Sequence, residues 1–455
     1  MADGAQLSNS DALIWRIEGD PVLRSPILVV GLLDRPPSRV RVRAALERAS
    51  EAIPGFRQRL DPGHPWSKPR WVDDGSFCLD HHLRHVRAAQ GDLPGVLELA
   101  APDAVAAFDP ARPLWQMTLV DELDDGGAAF VLRFHHTITD GVGGIGLAED
   151  LFEPTRRGRR AGAPPAARPE PDEDGDAPVS RTPADAVQRA ARLAGEMAQG
   201  ALGAALDPAG TVRSGTRVAR SVAKMLAPAR APLSPILQGR SLDRHLEVLE
   251  LPLRDLRAVA RATGGTVNDV FLAAVGKGLH EHHRRAGTPL EAIRLTMPIS
   301  LRVEGDERGG NHFTPARFVL PIAEPDPRRR IEQAGAIVRS WRAEPAVGMT
   351  PLLAAGLALL PRPLVQRAFA GMLRSIDVDA VDVPGLQHPA YLGGARVDRL
   401  WAFAPPTGAA LSITLVSHLE QACVGILADT AAVTDPQGLR ACLAAGFDDV
   451  RTIID

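Results

Sequence analysis

The sequence predicts an α/β protein of two lobes, with a sheet in each. Three observations predict it. The chain has 455 residues, and single hydrophobic cores stop growing well below that length. Strand-like and helix-like stretches alternate from Leu7 to about Leu151, and again from about Leu233, which is the pattern of mixed α/β layers. Between them, residues 154–182 run from basic (Arg156 to Arg160) through proline-rich to acidic (Glu170 to Asp176) with no periodic apolar face, as a linker does. The expected organisation is a first lobe over 1–153, a disordered linker over 154–182, connecting helices over 183–232 and a second lobe over 233–455.

The elements follow from local pattern. Pro26 to Leu33 is a continuous apolar run of strand length. Ser38 to Ala52 has Val40, Val42, Ala45, Leu46 and Ala49 at helical spacing. Leu114–Val120 and Ala128–Phe134 are strands that can form a hairpin across the acidic, Gly-rich turn Asp121–Gly127. Ile145–Leu151 can be helical. Pro183–Leu206 and Thr211–Leu226 are helix candidates in the connection. In the second half Leu246–Leu251 alternates like a strand, and Arg254–Thr263 is a helix stopped by Gly264-Gly265. Thr266 or Asn268 can cap the next helix, which runs to about Arg285, and Asp269 suits the positive end of its dipole. Leu295–Ile299, Ala316–Leu320, Leu411–Val416 and Ala422–Leu427 are further strands.

Composition narrows the class. Net charge is −3, which provides no electrostatic reason to expect nucleic acid. With 45% apolar but 4% aromatic residues, the core must rest on Leu, Val, Ala and Ile. Cys78, Cys423 and Cys442 are widely spaced and show no metal-ligand pattern, in keeping with a reducing cytoplasmic compartment. The first residues lack the basic and apolar regions of a signal peptide. The longest apolar stretch, 351–360, is closed by Pro361 and is shorter than the roughly 20 residues a bilayer requires. It can be a core helix, a wall against an acyl chain or an interfacial segment.

The most informative feature is Phe134-His135-His136-Thr137-Ile138-Thr139-Asp140-Gly141. It sets an imidazole that titrates near neutral pH at a strand end, close to a carboxylate and a glycine. His136 can act as a general base on a hydroxyl or amine. Asp140 is better suited to holding the loop than to moving protons, and Gly141 leaves room or permits positive φ. There is no Gly-x-Ser-x-Gly elbow and no suitably placed cysteine. Direct transfer through a ternary complex therefore fits better than a covalent acyl-enzyme. Two other histidine clusters bear on metal. His280-Glu281-His282-His283 lacks the i, i+4 histidine pair, whereas His81 and His85 have that spacing but no third ligand, so no metal is expected.

His135-His136-x-x-x-Asp140-Gly141 resembles the active-site motif of the chloramphenicol-acetyltransferase-like superfamily of CoA-dependent acyltransferases. Within it, the chain is most similar to the bacterial wax ester synthase/diacylglycerol acyltransferases. The stretches that carry the likeness are Leu7-Ser8-Asn9-Ser10-Asp11-Ala12, Ile53–Leu60, Asp80-His81-His82-Leu83, Pro113-Leu114-Trp115, Asn268-Asp269, Met297–Arg302 and Gly310-Asn311. The resemblance implies two lobes of that fold, each a mixed sheet with helices, and a tunnel between them with His136 at its middle. It implies a fatty acyl group moved from acyl-CoA to diacylglycerol or a long-chain alcohol. His136 would be the base, with His135, Asp140 and Gly141 completing the motif. Asn268 and Asp269 would support the site from the other lobe, Asn268 either near the thioester carbonyl or merely capping a helix. Arg302 is the candidate partner of Asp140, against the alternative of an ordinary surface arginine. Trp115 is expected to be packing. Acyl-CoA is expected as co-substrate with no cofactor, in the cytoplasm or peripherally on the inner membrane face or a lipid-droplet surface.

One stretch departs from the family. Where it usually has Ser-Asn-Val-Pro-Gly-Pro, this chain has Val381-Asp382-Val383-Pro384-Gly385-Leu386, which is expected to bring a charge near the tunnel. Two other readings stay open on that account. One is a condensation-type or polyketide acyltransferase with another acceptor, and the other is an acyl-CoA- or lipid-binding protein without catalysis.

Overall fold

Helices begin where a side chain can take over the unpaired amides of a first turn. Ser8 does this for α1 (Asn9–Ile17), accepting the Asp11 N–H at 3.0 Å. The first sheet follows from β1 (Pro26–Leu33), β4 (Leu83–Val86), β5 (Trp115–Val120) and β6 (Ala128–His135), with β2 (Gln58–Asp61) and β3 (Arg70–Asp73) forming a separate two-stranded ribbon. Around them lie α2 (Arg39–Ala52), α3 (Leu93–Ala100) and α4 (Gly143–Leu151). The computed structural model describes residues 4–63, 68–139, 143–158, 231–300, 313–344, 366 and 370–455. Within it, Met1–Gly158 and Pro228–Asp455 form one compact unit. The predicted linker beyond residue 158, the two predicted connecting helices, the 351–360 stretch and Gly310-Asn311 lie outside the described residues.

The second half supplies β7 (Arg244–Pro252), α5 (Leu253–Thr263), α6 (Val267–Arg285), β8 (Ala292–Ser300), β9 (Phe313–Pro321), α7 (Pro327–Arg342), β10 (Val378–Pro384), β11 (Tyr391–Leu392), β12 (Ala395–Phe403), β13 (Leu411–His418), β14 (Gln421–Asp429) and α8 (Pro436–Arg451). The first sheet has the order β11-β12-β1-β6-β5-β4 and the second β7-β14-β13-β10-β8-β9. Both are mixed. β4 runs parallel to β5, and β10 runs parallel to β8 and β13, among otherwise antiparallel neighbours. The two-lobed mixed α/β architecture is thus as predicted.

The sheets do not divide at one point in the sequence. β11 and β12 come from the second half yet extend the first sheet, β12 pairing with β1 from Leu28↔Phe403 to Leu33↔Val397. This crossover carries Trp401 and Phe403 into a core shared by the inner faces of both sheets, with Leu28, Val30 and Val131 on one side and Leu246, Val248 and Leu427 on the other. A second core packs α5, α6, α7 and α8 on the outer face of the second sheet, and a third lies between the first sheet and α2.

Local expectations mostly survive. The β5–β6 hairpin forms with Trp115 opposite Phe134. Gly264 ends α5 with φ +66, the left-handed cap that the Gly-Gly pair suggested. α6 and α8 touch backbone to backbone: a Cβ on Gly278 would lie 2.6 Å from Leu443 Cα. Val40 is the exception. It is 80% exposed, and the buried face of α2 is Val42, Ala45, Leu46 and Ala49. Among the described residues, no helix is long and apolar enough to cross a membrane.

Candidate active site

Side chains alternate across a strand, so β6 serves two faces at once. Phe130, Leu132 and Phe134 point one way and wall an apolar cavity of about 100 Å³. Its other walls are Ile27 and Val29 of β1, Ala148 and Leu151 of α4, and Val383, Pro384, Gly385, Leu386 and Val416 from the second sheet and the loop after β10. Both lobes therefore close it. Arg133 and His135 point the other way. His135 borders a separate cavity of about 150 Å³, lined also by Trp15, Glu18, Arg24, Pro26 and Phe108. His136 comes next and is half-buried. Its N–H donates to the Ser25 carbonyl at 3.1 Å, which carries the β1–β6 ladder one residue beyond the Pro26–His135 pair.

His135 is fully buried, and its ring is held at both nitrogens. Nδ1 accepts the Thr137 N–H at 3.1 Å and lies 2.8 Å from Thr137 Oγ1. An accepting Nδ1 puts the proton of the neutral ring on Nε2. Nε2 stands 2.8 Å from Glu18 Oε1, with the carboxylate off the straight N–H line, so the contact is charge–dipole attraction more than an ideal hydrogen bond. Trp15 and Phe108 meet the imidazole edge-on at 5.4 and 6.0 Å. Behind Phe108 the Arg133 guanidinium stacks on the ring at 4.4 Å and meets Asp103 at 3.3 Å. Burial lowers the Arg133 pKa and raises that of Asp103, each pushed toward its neutral form. The Ser8 cap starts the helix that brings Trp15, and Glu18 just after it, onto His135. The composition of the opening stretch thus has a structural purpose, although neither residue was singled out from the sequence.

The Pro113-Leu114-Trp115 stretch leads into β5. Leu114 and Trp115 are buried. Trp115 stacks between Phe56, at 4.5 Å, and His82, at 4.7 Å, and Phe77 continues the column at 5.4 Å from His82. The Trp115 indole N–H donates to the Phe56 carbonyl, and the Trp115 carbonyl meets His82 Nδ1 at 2.8 Å. Burial holds the His82 imidazole below its ordinary pKa. Three separate sequence stretches converge here, and Phe56 also faces the apolar cavity.

In the second lobe the capping question is settled locally. Thr266 caps α6, accepting the Asp269 N–H at 3.2 Å, while the Asp269 carboxylate accepts the Thr266 N–H at 2.9 Å. Asp269 is buried in this reciprocal box. Asn268 is half-buried and is not the cap. Asp140, Gly141 and Arg302 lie outside the described residues.

The expectation of a charge at the tunnel from Asp382 needs correction. Asp382 pairs with Leu415, and alternation along β10 sets it with Val378 and Ala380, the residues that face the helical core. Val383, one residue on, faces the cavity. Burial raises the Asp382 pKa to about 6. Asp379, on the same face as Val381 and Val383, is buried and pushed up to about 8, with only the Ser412 hydroxyl acting the other way. His280 and His283 serve the fold: His280 Nδ1 meets the Leu290 carbonyl, and His283 meets the Leu279 carbonyl and Ser234 Oγ. Among the described residues, no three His, Cys, Asp or Glu side chains gather as a metal site.

Comparison with known proteins sets this geometry in a family. The wax ester synthase/diacylglycerol acyltransferase catalytic domain matches residues 7–271, and the C-terminal domain of the same family matches 309–451. A Mycobacterium tuberculosis H37Rv protein, provisionally named a diacylglycerol O-acyltransferase, is 34% identical over 98% of this chain and 91% of its own length. The wax ester synthase/diacylglycerol acyltransferase from Marinobacter aquaeolei VT8 has the same fold, with a TM-score of 0.63 at 19% identity over 98% of this chain and 99% of that one. So does a variant starter condensation domain of rhizomide synthetase in complex with C8-CoA, with a TM-score of 0.59 at 16% identity over 99% and 95% of the two chains. The chain belongs to the wax ester synthase/diacylglycerol acyltransferase family.

Proposed function

We propose that this protein moves a fatty acyl group from acyl-CoA to the hydroxyl of diacylglycerol or a long-chain alcohol, with His136 as general base. The observation that carries the reading is the pairing of Phe134 and His136. Phe134 walls an apolar cavity closed by both sheets, and His136, its N–H bonded to the Ser25 carbonyl, stands two residues on, just past the end of β6. An apolar wall beside a base suits a substrate whose reacting carbonyl ends a hydrocarbon chain. Binding of C8-CoA by a condensation domain of the same fold is consistent with acyl-CoA as donor.

In the step we propose, His136 takes the acceptor hydroxyl proton as that oxygen attacks the thioester carbonyl. The tetrahedral intermediate collapses, the C–S bond breaks, and the imidazolium returns its proton to the departing CoA sulfur. No covalent acyl-enzyme is involved. Asp140 and Gly141 would shape the turn after His136, with Arg302 as the partner of Asp140. The amide of Asn268, freed from capping by Thr266, would donate to the developing oxyanion, where one donor is worth about 3 kcal/mol. Asp269 would support it by fixing the first turn of α6.

The test is thiol release from acyl-CoA by purified protein, over a panel of diacylglycerols, long-chain alcohols and a phosphopantetheinyl carrier, beside a His136→Ala variant. Triacylglycerol or wax ester formed by wild type and lost in the variant supports the reading. Turnover only on the carrier thioester points to a condensation-type enzyme. Acyl-CoA binding without turnover on any acceptor points to a lipid-binding protein.

A further inference from the structure

We infer that Glu18 is a positioning residue for the reaction, holding the backbone that aims His136; this rests on the reading of His136 as the base. Glu18 Oε1 serves two partners at once. It accepts the Ser25 N–H at 2.7 Å and lies 2.8 Å from His135 Nε2. Each partner leads to His136 from a different side. The Ser25 carbonyl accepts the His136 N–H. The other nitrogen of His135 accepts the N–H of Thr137, the residue after His136. One carboxylate oxygen thus closes a loop of contacts through Ser25, His136, Thr137 and His135. The residue inside that loop is the one whose imidazole must meet the substrate.

The chemistry of the loop requires an acceptor at Glu18. The buried Ser25 N–H donates to Glu18, and leaving it without an acceptor costs about 1–3 kcal/mol, while the His135 Nε2–H is drawn to the same carboxylate as a dipole to a charge. Without Glu18 the His135 ring loses the carboxylate that holds its Nε2 edge in place. It can then turn, and the Thr137 amide loses its partner. The backbone on both sides of His136 loosens while the apolar cavity on the opposite face of β6 stays as it was. A small misplacement of a base lowers turnover much more than it weakens substrate binding. Trp15 and Phe108 pack edge-on against the buried His135 ring, and that burial strengthens its contacts.

The test compares Glu18→Ala and Glu18→Gln by steady-state kinetics and by amide hydrogen exchange read by mass spectrometry. The Gln side chain keeps an oxygen acceptor at the same reach. Glu18→Ala is expected to lower kcat on the order of 10- to 100-fold with KM within about twofold. It should also speed exchange in peptides covering Ser25 and 134–139 while other peptides keep their wild-type rates, which shows the fold intact. Glu18→Gln is expected to restore slow exchange and to bring kcat back to within about threefold of wild type. Wild-type exchange in those peptides of Glu18→Ala overturns the inference, whatever the activity. So does a Glu18→Gln protein that falls as far as Glu18→Ala. If wild type transfers no acyl group but the exchange pattern follows expectation, the positioning stands and the proposed reaction falls.

Discussion

The Trp115 indole N–H donates to the Phe56 carbonyl at 2.9 Å while the two rings stack at 4.5 Å. One residue pair thereby joins the buried column of rings to the wall of the apolar cavity. Trp115→Phe keeps most of the stack but leaves the buried Phe56 carbonyl without its donor. The expected loss is about 1–3 kcal/mol, read as a lower urea midpoint with an unchanged slope.

His136→Ala is expected to lower kcat by about 10²–10⁴-fold, the usual contribution of a general base. The circular dichroism spectrum should stay that of wild type, because the ladder bond at this position uses the backbone N–H and not the ring. A variant with wild-type kcat would remove His136 from the chemistry.

Ala148 of α4 lines the apolar cavity opposite Phe134 and Leu132. Ala148→Phe fills space that the proposed acyl or alcohol chain would occupy. Each methylene denied burial is worth about 0.8 kcal/mol, so the preferred chain should shorten by several carbons. Ratios of kcat/KM across a series of acyl-CoA lengths measure this, and an unchanged profile would separate the cavity from the chain.

Stability should fall with rising pH because of Asp379. Its folded pKa is about 8 against an ordinary 3.8, so the native state holds a proton that the unfolded state has released between those values. The unfolded state then binds fewer protons, and the slope of unfolding free energy against pH is negative. The penalty is absent below about pH 4, grows through the interval and is complete above pH 8. Asp379→Asn cannot ionise. Relative to wild type it should gain stability between pH 5 and pH 9, on the order of a few kcal/mol, as chemical denaturation at the two values will show. Asp382, raised to about 6 by burial, adds a penalty of the same sign over the narrower interval between about 4 and 6.

Much of the fold was legible because its elements are locally encoded. Apolar runs mark β1, β6, β13 and β14, and the Gly-Gly pair marks the end of α5. The misreadings occurred where a residue's surroundings decide its role. Val40 has helical spacing but faces solvent, because α2 packs through the neighbouring stripe. Asp382 stands next to a cavity-lining valine, but strand parity turns it to the helical core. The choice left open between Thr266 and Asn268 as cap is made by backbone geometry, which selects Thr266.

By itself the sequence determined the α/β class, the chemistry available at His135-His136 and, through its motifs, the family. These are carried by residue type at short fixed spacing, which the chain's own periodicity preserves. Only the tertiary structure decided that β12 completes the first sheet, that Phe56, His82 and Trp115 form one column, and that Glu18 meets His135 across 117 positions. Those relationships join residues far apart in the chain, and they exist only once burial and backbone pairing have brought separate elements face to face.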